Sequence, residues 1–178
     1  NIFTQSGHIL TFTASNRGDL YWHDTVASTE AHSTSKTLYR NIPELSAKWR
    51  YPVMKNLNTK SSVVLEPTVM IVVGQNYDNK YKKFELVDAP KNELSENNIF
   101  KNNSFSGVDL HDYGKRFKYG VNGLLSSNLL YINSFLGQVL QRNNLSKKNS
   151  SNYVGSISAD IGDNFELFYR FRRDKSFS

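Results

Sequence analysis

Residues 103–123, NSFSGVDLHDYGKRFKYGVNG, crowd two Asp, a His, an Arg and two Lys between aromatics and glycines. Such a run reads in three ways: a catalytic cluster, a basic binding stripe, or a β-strand with one wet face. Alternation decides between them. Successive side chains of a strand leave opposite faces. Phe117, Tyr119, Val121 and Leu125 therefore share one face, and Arg116, Lys118 and Asn122 share the other. The stretch FELFYRFRRD, residues 165–174, repeats the pattern, with Phe165, Leu167, Tyr169 and Phe171 against Glu166, Phe168, Arg170 and Arg172.

Working outward, period-2 alternation dominates the 178 residues, and helical periodicity is hard to find. About eight strand candidates emerge: HILTFTAS and DLYWHDTV around a turn-like NRG; TLYRNIPELSAKWRY and SSVVLEPTVMIVVGQ joined by PVMKNLNTK; DYGKRFKYGVNGLL and LLYINSFLGQVLQR joined by SSN; YVGSISADI and FELFYRFRRD joined by GDN. Between these pairs lie longer polar connections, ASTEAHSTSK, the stretch 76–103 and NNLSKKNSSN. Short and long connections alternate, as in outer-membrane barrels with tight turns on one rim and excursions on the other. Candidates of roughly 9–14 residues suffice for a tilted bilayer crossing, whereas strands of soluble sandwiches are usually about 5–6 residues. Pro67 has no N–H to donate, so it must occupy a bulge or a locally broken ladder.

Bulk properties set the frame. Mean hydropathy is −0.54, and the longest apolar-rich run, SSVVLEPTVMIVVG, is broken by Glu66 and Pro67, short of the ~20 residues a membrane-spanning helix requires. With no cysteine, disulfides, thiolate zinc and cysteine nucleophiles are excluded from this segment. The net charge of +6 is compatible with an anionic partner, but the basic residues are scattered. The chain opens at Asn1 without an apolar leader and stops at RRDKSFS, which reads as a piece of something longer.

The chemical readings fare less well. Asp109 and His111 share a strand face at i and i+2, yet His8, His23 and His32 stand far off without ligand-like spacing. The cluster reads as a polar strand end. Gly107, Gly114, Gly120 and Gly123 are not spaced as a phosphate loop and read as bends and close packing. Single-strand nucleic-acid platforms put aromatics and cations on one surface; here they alternate onto opposite faces, as in a barrel wall. DAPKNELSENN reads as a solvated loop. Trp22 and Trp49 fit either an interfacial girdle or sheet packing.

The stretch ELSENNIFKNNSFSGVDLHDYGKRFKYGVNG resembles the signature region of the LptD family of lipopolysaccharide-assembly outer-membrane proteins, the organic-solvent-tolerance family. Glu93-Leu94, Asn98-Ile99-Phe100, Phe105-Ser106-Gly107, Asp109, Gly114, Arg116 and Tyr119-Gly120 match its motif. WRYP at 49–52, LEP at 65–67 and LGQVLQRNN resemble further family positions, and the resemblance runs over residues 38–174. Ser104, Val108, Leu110 and Asp112 depart from it, where relatives carry Arg, Tyr, Arg and Glu.

The resemblance implies an all-β fold: an antiparallel up-and-down transmembrane β-barrel segment, about eight strands of a larger barrel. The whole of 1–178 is expected to be one barrel segment, without the family's N-terminal jellyroll or terminal barrel strands. It implies insertion of lipopolysaccharide into the outer leaflet of a Gram-negative outer membrane, without covalent catalysis and with no cofactor. Expected partners are lipopolysaccharide, a plug lipoprotein inside the barrel, and a periplasmic bridge protein reached through a domain not in this chain; nucleic acid is not among them. Arg116, Lys118, Asn122, Glu166, Arg170 and Arg172 are the candidate lumen-facing residues. A porin or receptor barrel for small solutes, or a soluble all-β module for glycans or nucleic acid, are the alternatives.

Overall fold

The computed structural model describes residues 1–25, 34–75, 94–104, 111–112, 114–142, 149–162 and 164–177. They form one antiparallel sheet of nine strands: β1 (Ile2–Phe3), β2 (Ile9–Thr25), β3 (Thr34–Arg50), β4 (Val53–Asn58), β5 (Ser61–Gly74), β6 (Lys115–Ser126), β7 (Leu130–Arg142), β8 (Asn149–Ile161) and β9 (Phe165–Phe177). The spatial order follows the chain, β1-β2-β3-β5-β6-β7-β8-β9, with β4 also paired to β5. This is the up-and-down order expected of hairpin after hairpin. Within the described residues β1 and β9 end the sheet and do not pair with each other, so it is not closed.

Three sequence expectations need correction. Asn16-Arg17-Gly18 is not a turn: all three lie in the ladder, opposite Pro43, Ile42 and Asn41. The local turn preference yields to a 17-residue partner strand and to Asp19, which accepts hydrogen bonds from Arg17 Nε and Arg40 Nε, both at 2.8 Å. PVMKNLNTK is not merely a connection, because its Val53–Asn58 is β4, paired with β5 from Val53↔Leu65 to Asn58↔Ser61. Only the tip turns back, where Lys60 N–H donates to Asn58 Oδ1 at 2.9 Å. β6 begins at Lys115, after the Asp-Tyr-Gly start expected for it, and β8 begins at Asn149, inside the expected connection.

Pro67 and Pro52 account for the break between β3 and β4. Arg50 pairs with Thr68 and Val53 with Leu65, so the register runs through unchanged. Between them Tyr51 N–H donates to the Pro67 carbonyl at 3.1 Å, and the reciprocal bond is impossible because proline has no N–H. The ladder is locally broken rather than bulged there. Pro43 lies one residue beyond the Glu44↔Gly74 pair that ends the β3–β5 ladder, where a missing donor costs least.

The two faces of the sheet differ as alternation requires. Phe12, Leu20, Tyr39, Leu45, Ile71, Phe117, Tyr119, Val121, Leu136, Tyr153, Ile157, Leu167, Tyr169 and Phe171 fall on one face, and all are exposed. Arg40, Glu44, Ser46, Thr68, Arg116 and Lys118 fall on the other, and all are buried. A sheet folded for water does the reverse. The small core sits entirely on the polar side: Ile42, Met70, Val72, Val139 and Val154 from the strands, and Ile99 from the β5–β6 connection.

Candidate functional site

Register brings the polar-face residues into rows. Lys48, Met70, Lys118, Val139 and Asn152 stand side by side across five strands, and Ser46, Val72, Arg116 and Gln141 form the adjacent row. Residues 94–104 lie over these rows. This segment is shaped by its own turn: Ser95 N–H donates to Asn98 Oδ1 at 2.7 Å, and Ile99 N–H donates to the Ser95 carbonyl at 3.0 Å. The short polar side chain replaces a helical or strand partner, and the turn throws Ile99 and Phe100 toward the sheet.

Ile99 is fully buried. It occupies a socket made by glycine: a Cβ on Gly137 would stand 2.8 Å from Ile99 Cδ1, and one on Gly120 would stand 2.8 Å from the Leu136 carbonyl. Phe135 lies across both glycines and meets Phe100 edge-on, ring centroids 6.1 Å apart at 89°. The close-packing reading of Gly120 from sequence is thus borne out. Gly114 instead serves a bend, with φ of 76° in the left-handed region that favours glycine. Its amide and carbonyl bond to Gln75 and Gly74 where the excursion leaves and re-enters the sheet.

Polar anchors flank the socket. Lys118, 0% exposed, donates from Nζ to the Lys101 carbonyl at 2.7 Å. Arg116, 2% exposed, donates from Nη1 to the Asn102 carbonyl at 2.9 Å, pairs with Glu44 through Nη2, and lies 3.3 Å from Asp112 Oδ2. Ser46 Oγ meets Asn102 Oδ1 at 2.9 Å. His111 Nε2 stands 3.2 Å from Glu44 Oε2, and Asp112 accepts the Ser104 N–H at 2.7 Å. A buried ion pair of this kind adds little net stability, but removing one partner costs about 3–5 kcal/mol, because the other is left charged and alone. What the arrangement does is hold a segment of chain against the wall.

Of the residues proposed from sequence, Arg116 and Lys118 are brought together on the polar face. Asn122 is exposed on that face opposite Glu66, which lies 3.4 Å from Arg50. Arg170 and Arg172 face the same side from β9, and Glu166 lies opposite Asp160. Tyr119, a motif position, points outward and bonds Gln138, so it belongs to the apolar face. Phe105, Ser106, Gly107 and Asp109 lie outside the described residues. His111 meets Glu44 rather than a set of ligands, and no group of three metal-ligating side chains occurs among the described residues. Sequence reasoning missed Glu44 as the acidic partner and read DAPKNELSENN as a solvated loop. Residues 88–93 of it lie outside the described residues, Asn97 is exposed, and Asn98 is buried, as is the adjoining Ile99. The available signal was the apolar pair Ile99-Phe100 interrupting an otherwise polar run.

A family model described as LptD, LPS transport system D, matches residues 1–176. The match thus includes residues 1–37, which the motif resemblance did not reach. Comparison with curated proteins and with solved structures gave no match.

Proposed function

The chain belongs to the LptD family of lipopolysaccharide transport proteins, and on that premise we propose that it is a wall panel of the outer-membrane barrel that places lipopolysaccharide in the outer leaflet. One observation carries the reading: the large apolar side chains of the central strands fall on the exposed face and the buried charged ones on the covered face. Cations of the exposed face include Lys115 and Arg142 at strand ends and Arg173 on β9. An outward cation at the bilayer midplane costs about 2–4 kcal/mol. Apolar side chains there meet lipid, and the polar residues meet a wet lumen. Two outward polar groups are themselves bonded, Gln138 by Tyr119 and Ser134 Oγ to the Gly123 carbonyl at 3.2 Å.

Lipid cannot satisfy the open edges of β1 and β9. Further strands of the same barrel complete the wall, and residues 1–178 form one segment of it. The lumen admits a plug lipoprotein, and lipopolysaccharide arrives through a periplasmic bridge contacting a domain outside this chain. Arg170 and Arg172 on β9, with Asn122 on β6, are the polar-face positions through which the lumen meets lipid or plug.

The test is depletion of the full-length parent in its own cells, followed by assay of newly made lipopolysaccharide at the surface. Failure of surface delivery with synthesis intact supports the reading. Normal delivery with altered solute uptake assigns the barrel to a porin or receptor instead.

A further inference from the structure

The geometry points to residues 94–104 as a fixed crossbar on the inner wall, one that shields Arg116 and Lys118 from any transported ligand. The segment crosses the strands in sequence order. Glu96 pairs with Arg170 of β9 at 2.5 Å. Ile99 and Phe100 seat on Gly137 and Phe135 of β7. The Lys101 and Asn102 carbonyls accept from Lys118 and Arg116 of β6, and Asn102 reaches Ser46 of β3. Seven residues therefore tie together a panel that runs from β9 to β3.

Each anchor is of a different kind. The apolar pin is fully buried in a socket that only glycine leaves open, the two cations are consumed by main-chain carbonyls, and one end is an ion pair. Releasing the crossbar would expose Ile99 to water and strand two buried cations together with Glu44, penalties that act at once. A bar held this way braces the panel instead of opening and closing over it. The inference rests on the wall reading above, and it moves the lipid path away from the two residues that sequence alone marks as lumen cations.

The experiment uses the full-length parent in its own outer membrane with Ser46→Cys and Asn102→Cys combined, the two native side chains being in contact, treated with a small thiol oxidant as a zero-length crosslinker. The account expects an internal crosslink, seen as a mobility shift on denaturing gels and absent from either single variant. It expects surface delivery of lipopolysaccharide by the double variant to be the same with and without crosslinker. A crosslink that lowers delivery would show that the bar must move, and no crosslink in folded protein would show that it does not lie there; either overturns the inference. Should the double variant fail to fold, Lys118→Cys alone serves. Protection of that thiol from a small water-soluble maleimide, lost when Ile99→Asp is added, is expected; labelling without the second change overturns the inference. Delivery that proves independent of the parent altogether would sink the transport reading and leave the crosslink result standing.

Discussion

β6 and β9 carry similar text, KRFKYG and FYRFRR: Phe117, Tyr119, Tyr169 and Phe171 lie on the outer face and Arg116, Lys118, Arg170 and Arg172 on the inner one, while Lys115 and Arg173 turn outward and Phe168 inward. Their cations nevertheless meet different fates. Arg116 and Lys118 are 2% and 0% exposed, held by Glu44, Asp112 and two carbonyls. The Arg170 side chain is 43% exposed, pairs with Glu96 and lies 5.0 Å from the Phe168 ring centroid. Alternation assigns a face, whereas burial depends on what chain lies over that face. Charge pattern alone therefore cannot tell a structural arginine from one that a ligand can reach.

The contrast is broken most severely at Arg116. Arg116→Ala leaves Glu44 buried without its cation and is expected to cost about 3–5 kcal/mol, read as loss of the folded, heat-modifiable form of the parent on gels. If Arg116→Ala folds as well as wild type, the network is not what holds the segment. Next in size is Gly137→Val, which fills the socket of Ile99 and Phe135. Overpacking of this kind costs about 1–3 kcal/mol, and the expected readout is new protease sensitivity within residues 94–104 while the strands stay protected. Arg170→Ala removes a half-exposed pair worth about 0–1 kcal/mol and is expected to leave the unfolding midpoint nearly unchanged. A loss as large as that of Arg116→Ala would erase the distinction between the two strands. The smallest effect is expected from Asn41→Val, an exposed outward position opposite Gly18 on β2. A gain within about 0.5 kcal/mol in detergent or lipid fits a lipid-facing wall, and a clear loss does not.

Much of the fold was legible because strand periodicity is local. The faces of β6 and β9, the pairing of β6 with β7 and of β8 with β9 as hairpins, and the broken ladder at Pro67 all follow from neighbouring residues. Errors arose where a distant strand overrides local preference. Asn16-Arg17-Gly18 looks like a turn until β3 runs alongside it, and Pro52 looks like the start of a loop although β4 resumes the same register on β5. The site was half legible. Alternation put Arg116 and Lys118 on one face, but Glu44 is 72 residues away from Arg116, and no spacing rule links them. The seating of Ile99 depends on Gly137, and the room for Phe135 beside it on Gly137 and Gly120 lying in adjacent strands, a fact that exists only once the sheet is paired.

The central claim is that one face of this sheet meets lipid and the opposite face is covered. It is tested most directly by single cysteines at four β6 positions, Arg116, Phe117, Lys118 and Val121, in the full-length parent in native membranes. Each is probed with a water-soluble and a lipid-confined thiol reagent. The account predicts that Phe117→Cys and Val121→Cys react only with the lipid-confined reagent and that Lys118→Cys is protected from both. Labelling of Phe117→Cys and Val121→Cys by the water-soluble reagent would contradict it.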